Sequence, residues 1–428
     1  RPRGRPPVLK RVDANHFQGK KVTVVGMGRS GIASANLLFD LGAVVSLTEI
    51  SDNASTRRAA AKLKSSAIKV ELGRHTPEMI NQAGLVVVSP GVADSALPLI
   101  RAVERDIPIL NEIELGWLVC PAAIIATTGT NGKTTVATLI GKALEKNGER
   151  VWTCGNIGNP FCGEVEKMRA GDFVSLEVSS FQLERISGFK PKIALILNFS
   201  RNHLDRYRGM EEYLEAKKRI FKNQDKSDFL VLNSADEALK GLAGGTKAKV
   251  VFFSQSKEFN PNQAAVLAVA EVLGIERKLV LEVFREFKGV EHRLEQVTLI
   301  NQVRFINDSK ATTVDSTAWA LKNTAGPLIL IAGGREIGND YSIILGLARE
   351  KVKEAILIGE ASGRIKQAFS GLFPVSEAAT VEDAVRMAFS KSSRADTVLF
   401  SPMCKSFDMF ANFEERGKAF KQAVYNLR

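Results

Sequence analysis

AIIATTGTNGKTT, residues 123–135, is the stretch on which the reading of this chain turns. Residues 123–128 are apolar or β-branched and suit a buried strand. Gly129, Thr130, Asn131 and Gly132 then make a turn, and a helix is expected from about residue 134 to 147. A strand, a glycine turn and a helix that opens on Lys133 and Thr134 are the parts of a phosphate loop. Thr127 stands where the usual first glycine falls, but the turn can be built from Gly129 onward. Its backbone N–H groups can cradle phosphates and Lys133 can reach the β- and γ-phosphates. The Thr134 hydroxyl, followed by Thr135, can ligate Mg2+.

The same alternation continues on both sides. KVTVVGMGRSG (21–31), VVSLTE (44–49), LVVVSP (85–90) and IPIL (107–110) supply strands before the loop. NEIELGW (111–117) reads as a connection. After the loop come VSLEVS (174–179), IALILNFS (193–200), FLVLN (229–233) and VVFFS (250–254), with helices between. VTLINQVRFIND reads as a hairpin turning at Asn301-Gln302, and LILIAGG, AILIGE and TVLFSP follow it. Strands alternating with helices imply parallel sheets. The expected fold is therefore three α/β domains in series, Rossmann-like first and last, with a central phosphate-loop ATPase domain. The expected bounds are 20–111, 112–290 and 291–428, after a basic tail of residues 1–19.

Gly26-x-Gly28-x-x-Gly31, with Glu49 at the end of the next strand, satisfies the dinucleotide fingerprint. The glycines and the helix N-terminus favour any diphosphate, UDP as well as NAD, so a dehydrogenase stays open at this point. So does a tight turn with no ligand. Glu177 closes a buried strand, where an acid is costly unless paired, metal-bound or capping a helix. His203 and Asp205 follow another strand; Mg2+ favours such oxygen-rich settings, and a plain loop histidine is the alternative. Lys217 alone reads as an exposed helical lysine.

Composition suits a multi-domain globular protein: 428 residues, 45% hydrophobic and 25% charged. No apolar run reaches the roughly 18 residues of a membrane span, and none follows the basic N terminus as an export signal would. Cys120, Cys154, Cys162 and Cys404 form no C-x-x-C and read as reduced thiols of a cytoplasm. The net charge of +12 is spread along the chain except for RPRGRPPVLKR, Arg1 to Arg11. Its Arg-Gly-Arg-Pro is similar to an AT-hook core. A solvated basic tail is the plainer reading, so nucleic acid is not expected as a partner.

GTNGKTT, LEVSSFQLE, NHLDRY, HRLE, NDSKATT and SPMCKSFDMFANFEERG follow one another in this order. With them the chain resembles the Mur ligase family from about residue 20 to the C terminus. These are bacterial, cytoplasmic, ATP-dependent amide-forming enzymes of peptidoglycan assembly. NDSKAT and the last run resemble the branch that adds D-glutamate. The resemblance implies UDP-N-acetylmuramoyl-L-alanine, D-glutamate and ATP as substrates, two Mg2+ ions, and a monomer. It assigns the first glycine motif to UDP, with Gly28, Arg29, Ser30, Glu49, Ser89, Gly91, Asn156 and Ser179 toward the UDP-sugar.

Lys133, His203 and Lys217 are then the catalytic candidates. Glu177, His203 and Lys217 join Thr134 at the metal, with Lys217 carbamylated by CO2. Asn262 is implied for the adenine pocket, His292, Arg293, Asn307 and Asp308 for ATP across the domain boundary, and Lys310, Thr312, Ser406, Phe407 and Phe413 for D-glutamate. Three features depart from the family pattern. Glu49-Ile50-Ser51 replaces Asp-Thr-Arg, Ile337 stands where a lysine is expected, and the segment 255–260 is short. Another amino acid on the same scaffold, as in a folylpolyglutamate synthetase, is the rival reading.

Overall fold

Strands covered by helices on both faces must be apolar throughout, and LILIAG, buried along its whole length, shows that requirement met. The computed structural model describes residues 10–200 and 206–427. His203 and Asp205, and residues 1–9 of the expected tail, lie outside the described residues. The chain divides into two compact units, one up to Phe287 and one from Lys288.

The first unit holds two sheets. In one, β1 (Lys21–Val25), β2 (Val44–Glu49), β3 (Lys69–Leu72), β4 (Leu85–Val88) and β5 (Ile109–Asn111) lie in the order β3-β2-β1-β4-β5. In the other, β6 (Ala123–Thr128), β7 (Val151–Gly155), β8 (Phe173–Glu177), β9 (Ile193–Ile196), β10 (Phe229–Asn233) and β11 (Lys249–Phe253) run β11-β10-β9-β6-β8-β7. Every pairing in both is parallel. All C-terminal strand ends of a sheet therefore share one edge, where the loops that can hold ligands gather.

One apolar cluster runs through both sheets, from Phe17, Val24 and Leu37 to Trp117, Phe161 and Leu176. The stretch 111–117, expected as a connection, is instead part of this interior. It forms a helix, Glu112–Val119, buried from Glu112 to Leu118. Two acids there are held by backbone donors rather than by cations. The Glu114 carboxylate accepts the N–H groups of Ser187 (3.0 Å), Gly188 (2.6 Å) and Phe189 (3.1 Å). Glu112 accepts that of Cys162 (2.8 Å), and burial pushes its carboxyl up to about 7. The expected tail 1–19 also ends earlier. Val12 donates to Leu118 O at 2.9 Å, and Phe17 is 1% exposed.

In the second unit, β12 (Glu295–Ile300), β13 (Val303–Asn307), β14 (Leu328–Gly333), β15 (Val352–Ile358), β16 (Val375–Glu377) and β17 (Thr397–Phe400) lie in the order β12-β13-β17-β14-β15-β16. Only β12 and β13 pair antiparallel. Their turn has positive φ at both Asn301 and Gln302, the geometry of a two-residue hairpin. Among the described residues no helix is long and apolar enough to cross a membrane.

Candidate active site

β6 delivers the phosphate loop to the C-terminal edge of its sheet, and the helix Lys133–Lys146 begins at once. Gly132 is required here twice over. Its φ is +81°, and a Cβ would lie 2.4 Å from Asn262 Oδ1. Asn262, near the start of the helix Pro261–Leu273, thus packs directly on the loop. Lys133 Nζ donates to Gly129 O (3.0 Å) and Thr130 O (2.9 Å), so its ammonium curls over the turn where phosphates would sit.

β8 is the neighbour of β6, with Thr127 opposite Glu177. Thr134 Oγ1 donates to Glu177 Oε2 at 2.7 Å, and Asn156 Nδ2 donates to Oε1 at 2.7 Å. Thr134 and Glu177 are each 1% exposed. A hydroxyl and a carboxylate side by side are hard oxygen donors of the kind Mg2+ takes. The capping alternative for Glu177 is not realised: Ser179 caps the helix that follows, its Oγ accepting from Gln182 N.

Lys217 is not the exposed lysine that its helix position alone suggests. It is 1% exposed, donates to Gly129 O at 2.9 Å and lies 4.5 Å from the Tyr213 ring centre. Burial, reinforced by the charge of Lys133, pushes its ammonium well below the ordinary lysine value and favours the neutral amine.

Asn198, two residues beyond β9, is a site residue that the sequence alone does not single out. It accepts from Asn131 N (2.8 Å) and donates to Asn131 O (3.1 Å), pinning the loop from the side. Thr130 makes the parallel contact, its N–H donating to Asn198 O. An asparagine one strand away from a phosphate loop was the available signal.

The first sheet presents its own set at its C-terminal edge. The helix Arg29–Asp40 starts after Gly28 and carries Ser30 in its first turn. A Cβ on Gly31 would lie 1.9 Å from Gly26 O, which accounts for the third glycine of the fingerprint. Glu49 accepts from Met27 N (2.9 Å) and Ser51 N (3.0 Å), so its carboxylate braces the glycine turn. Ser89 Oγ donates to Gly26 O, bringing the loop that holds Gly91 onto the same turn.

In the second unit, His292 has φ +62° and is buried beside Asn307, their Nδ1 and Nδ2 atoms 2.9 Å apart. Burial lowers its imidazolium, against the pull of Glu291 and Glu295. His292, Glu291 and Glu295 could by spacing hold a metal ion, but Lys421 already bridges the two acids at 2.5 and 3.0 Å. Asp308, next to Arg293 in charge, accepts from Ser401 Oγ (2.8 Å) and Leu294 N (3.2 Å).

The Lys310 N–H donates to His292 O, that of Thr312 to Lys310 O, and Lys310 Nζ lies 5.7 Å from the Phe413 ring centre. Arg416, fully buried, ties this segment to the loop of Ser406. Its guanidinium donates to Ser309 Oγ (3.1 Å), Ser309 O (2.8 Å) and Cys404 O (3.0 Å). Ser406 is buried, whereas Phe407 is 62% exposed. Ile337 is exposed, and Arg335 near it is engaged by Glu360 at 3.3 Å.

Comparison with known proteins follows the same division. The model of the Mur ligase MurD-like N-terminal domain matches residues 20–111, that of the Mur ligase middle domain 127–285, and that of the Mur ligase glutamate ligase domain 292–404. The UDP-N-acetylmuramoylalanine–D-glutamate ligase of Chloroherpeton thalassium is 39% identical over 465 residues, covering 96% of this chain and 99% of that protein. The chain belongs to the Mur ligase family. The ligase of the same description from Chlorobium luteolum is 40% identical, covering 98% of this Mur ligase and 100% of its relative.

Solved structures agree on the fold. UDP-N-acetylmuramate–alanine ligase MurC from Thermotoga maritima has a TM-score of 0.62 at 18% identity, covering 95% of this chain and 100% of that one. MurF ligase from the same organism, in complex with ADP, has a TM-score of 0.56 at 14% identity, covering 98% and 99%. This Mur ligase has the family's three α/β domains in series, and use of ATP and Mg2+ is typical of the family.

Proposed function

We propose that this Mur ligase joins D-glutamate to UDP-N-acetylmuramoyl-L-alanine at the expense of ATP, in the bacterial cytoplasm. The observation that carries the reading is full-length similarity, near 39% identity from end to end, to relatives described as UDP-N-acetylmuramoylalanine–D-glutamate ligases. A carboxylate resists attack by an amine because its oxygen is a poor leaving group. Transfer of the γ-phosphoryl group to the alanyl carboxylate makes an acyl phosphate. The amine of D-glutamate then attacks the acyl carbon and phosphate departs.

Lys133 is suited to leave Gly129 O and Thr130 O for the β- and γ-phosphates, matching charge that builds on the transferred group. Gly129 to Gly132 offer backbone N–H groups, and Asn262 lies where it can meet the adenine side. Thr134 and Glu177, with His203, would hold Mg2+, which when bound neutralises phosphate charge. Asn156 bonds Glu177, so a substrate group held by Asn156 would be set beside the reacting phosphate. Gly28, Arg29, Ser30, Glu49, Ser89 and Gly91 would take the UDP-sugar, with Ser179 nearby. His292, Arg293, Asn307 and Asp308 would serve ATP. Lys310, Thr312, Ser406 and Phe413 would serve D-glutamate, with Phe407 at the open side.

Carbamylation of Lys217 belongs to the same reading. Only a neutral amine attacks CO2, and burial favours that form here. The product gains a carboxylate and loses a proton, while its remaining N–H can still donate to Gly129 O.

Phosphate release with UDP-N-acetylmuramoyl-L-alanine and each candidate amino acid tests the proposal. Stimulation by D-glutamate is the expected result. Stimulation by a different amino acid alone would move the chain to another branch of the scaffold. Isothermal titration separates the dehydrogenase reading: micromolar NAD binding without UDP-sugar binding would reverse the assignment of the first glycine turn.

A further inference from the structure

We propose that Asn198 is a positioning residue for phosphoryl transfer, one that keeps the Asn131–Gly132 peptide from turning over and so holds the Gly132 N–H ready for a phosphate. The inference rests on the reading of residues 129–135 as an ATP site. It concerns a residue that touches the loop from behind.

The peptide is free to turn by its own chemistry. Gly132 sits at φ +81°, and glycine takes either sign of φ at little cost. Asn131 is exposed, so packing of its side chain does not hold the plane. Asn198 does. Its Oδ1 accepts from Asn131 N at 2.8 Å and its Nδ2 donates to Asn131 O at 3.1 Å. One amide thus grips the peptide planes on both sides of Asn131. Only one orientation of the amide satisfies both bonds, since its oxygen must face the N–H and its nitrogen the carbonyl. In a planar trans peptide the C=O and N–H point in opposite directions. The 131–132 peptide is trans, so holding Asn131 O directs the Gly132 N–H away from Asn198. The β9 side of the loop is filled with protein, and a phosphate meets the loop from the other side.

The anchor itself is fixed from two directions. Toward the loop, Leu197 N donates to Thr128 O, Thr130 N to Asn198 O, and Ser200 N to Thr130 Oγ1 at 3.1 Å. Toward β10, Asn233 Nδ2 donates to Leu197 O at 3.2 Å and Phe199 N to Asp236 Oδ2 at 2.7 Å. Asn198 is therefore presented by a segment bonded on each flank, and its side chain can impose a geometry on a turn that lacks one of its own.

The test is isothermal titration of the full-length protein with ADP and Mg2+, beside steady-state kinetics. Asn198→Leu keeps the size of the side chain and removes both bonds. It should weaken ADP binding and raise the KM for ATP by about tenfold, the worth of two neutral hydrogen bonds. The KM for the UDP-sugar should stay at its wild-type value. Asn198→Asp keeps shape and polarity and guards against poor folding of the leucine variant. It sets a carboxylate oxygen against Asn131 O and offers an acceptor to the Gly132 N–H, which favours the turned peptide, so its KM for ATP should rise at least as far. Hydrogen exchange over residues 127–135 should quicken in both variants.

A fall in kcat with the KM for ATP and ADP affinity unchanged would mark a merely structural residue and overturn the proposal. Unchanged hydrogen exchange across the loop would do the same. Wild-type protein that binds no ADP would overturn the loop assignment instead, and this proposal with it.

Discussion

Arg416→Met should destabilise the second unit by about 3 kcal/mol, within about 2–5, for reasons that can be worked bond by bond. The guanidinium is buried at 1% exposure, lies over the Phe400 ring at 6.0 Å, and makes three bonds to Ser309 and Cys404. No carboxylate lies within ion-pair distance of it among the described residues. Burial lowers it to about 10, so it stays charged at neutral pH. Bonds from a charged donor are worth about 1.5–3 kcal/mol each, so the gross loss is several kcal/mol. Removing an uncompensated buried cation returns part of that, since its desolvation also costs several kcal/mol. What methionine cannot return is the pairing of two buried carbonyls and a hydroxyl.

Thermal unfolding followed by calorimetry should show the second unit melting about 10 °C earlier. The same bonds hold Ser309, next to Lys310, against the loop that leads to Ser406. The KM for D-glutamate should therefore rise about tenfold before kcat falls, the sign of lost ground-state positioning. Arg416→Lys should recover only part, because one ammonium cannot span three acceptors. A melting temperature within about 2 °C of wild type for Arg416→Met would refute the reasoning.

Lys217→Arg should remove nearly all ligase activity, because arginine cannot take up CO2 and its larger head must fit where Lys217 is fully buried; activity equal to wild type would end the carbamate reading, and carbon-13 NMR with labelled bicarbonate reads the adduct directly. Ile337→Lys should lower the KM for D-glutamate with little change in kcat, since Arg335 is held by Glu360 and leaves the missing cation unreplaced; no change in KM would show that other donors suffice. Asp308 is pushed up to about 6, chiefly by burial. The folded state thus holds its proton longer than the unfolded chain, so its contribution is fully present below about pH 4 and lost as pH rises through about 6. Urea titrations of Asp308→Asn should show that this fall has flattened, and an unchanged pH profile would place the titration elsewhere.

The loop, its strand and its helix were legible because each has a local signature: glycine where φ is positive, an apolar run, a lysine and a hydroxyl at fixed offsets. The hairpin at Asn301-Gln302 was legible for the same reason. β3, β7 and β16 were not, because KVEL, VWTCG and VSE are short and carry partly exposed polar residues. Their strand character comes from a neighbour's open edge rather than from their own pattern. The helix Glu112–Val119 was hidden by its two glutamates, which read as solvent-facing until their backbone donors, some 50 to 75 residues away in sequence, are known. The burial of Lys217 was hidden likewise, since what encloses it, Gly129 and the loop, lies 88 residues away.

The helix Glu112–Val119, sewn between two sheets by Glu112 and Glu114, has a bearing on how this enzyme could be taken apart. A fragment cut near residue 120 would bare Trp117, Leu118 and Phe161 together and strand two acids without their amides. Neither of the first two domains is thus a portable module, however separable their motifs look in the sequence. Grafting a sugar-binding domain from a relative would succeed only if the receiving loop at 187–189 and the helix came across as a pair. Natural exchange of parts in this family should leave the same scar, with crossovers falling near residue 288 and avoiding the stretch between residues 111 and 127.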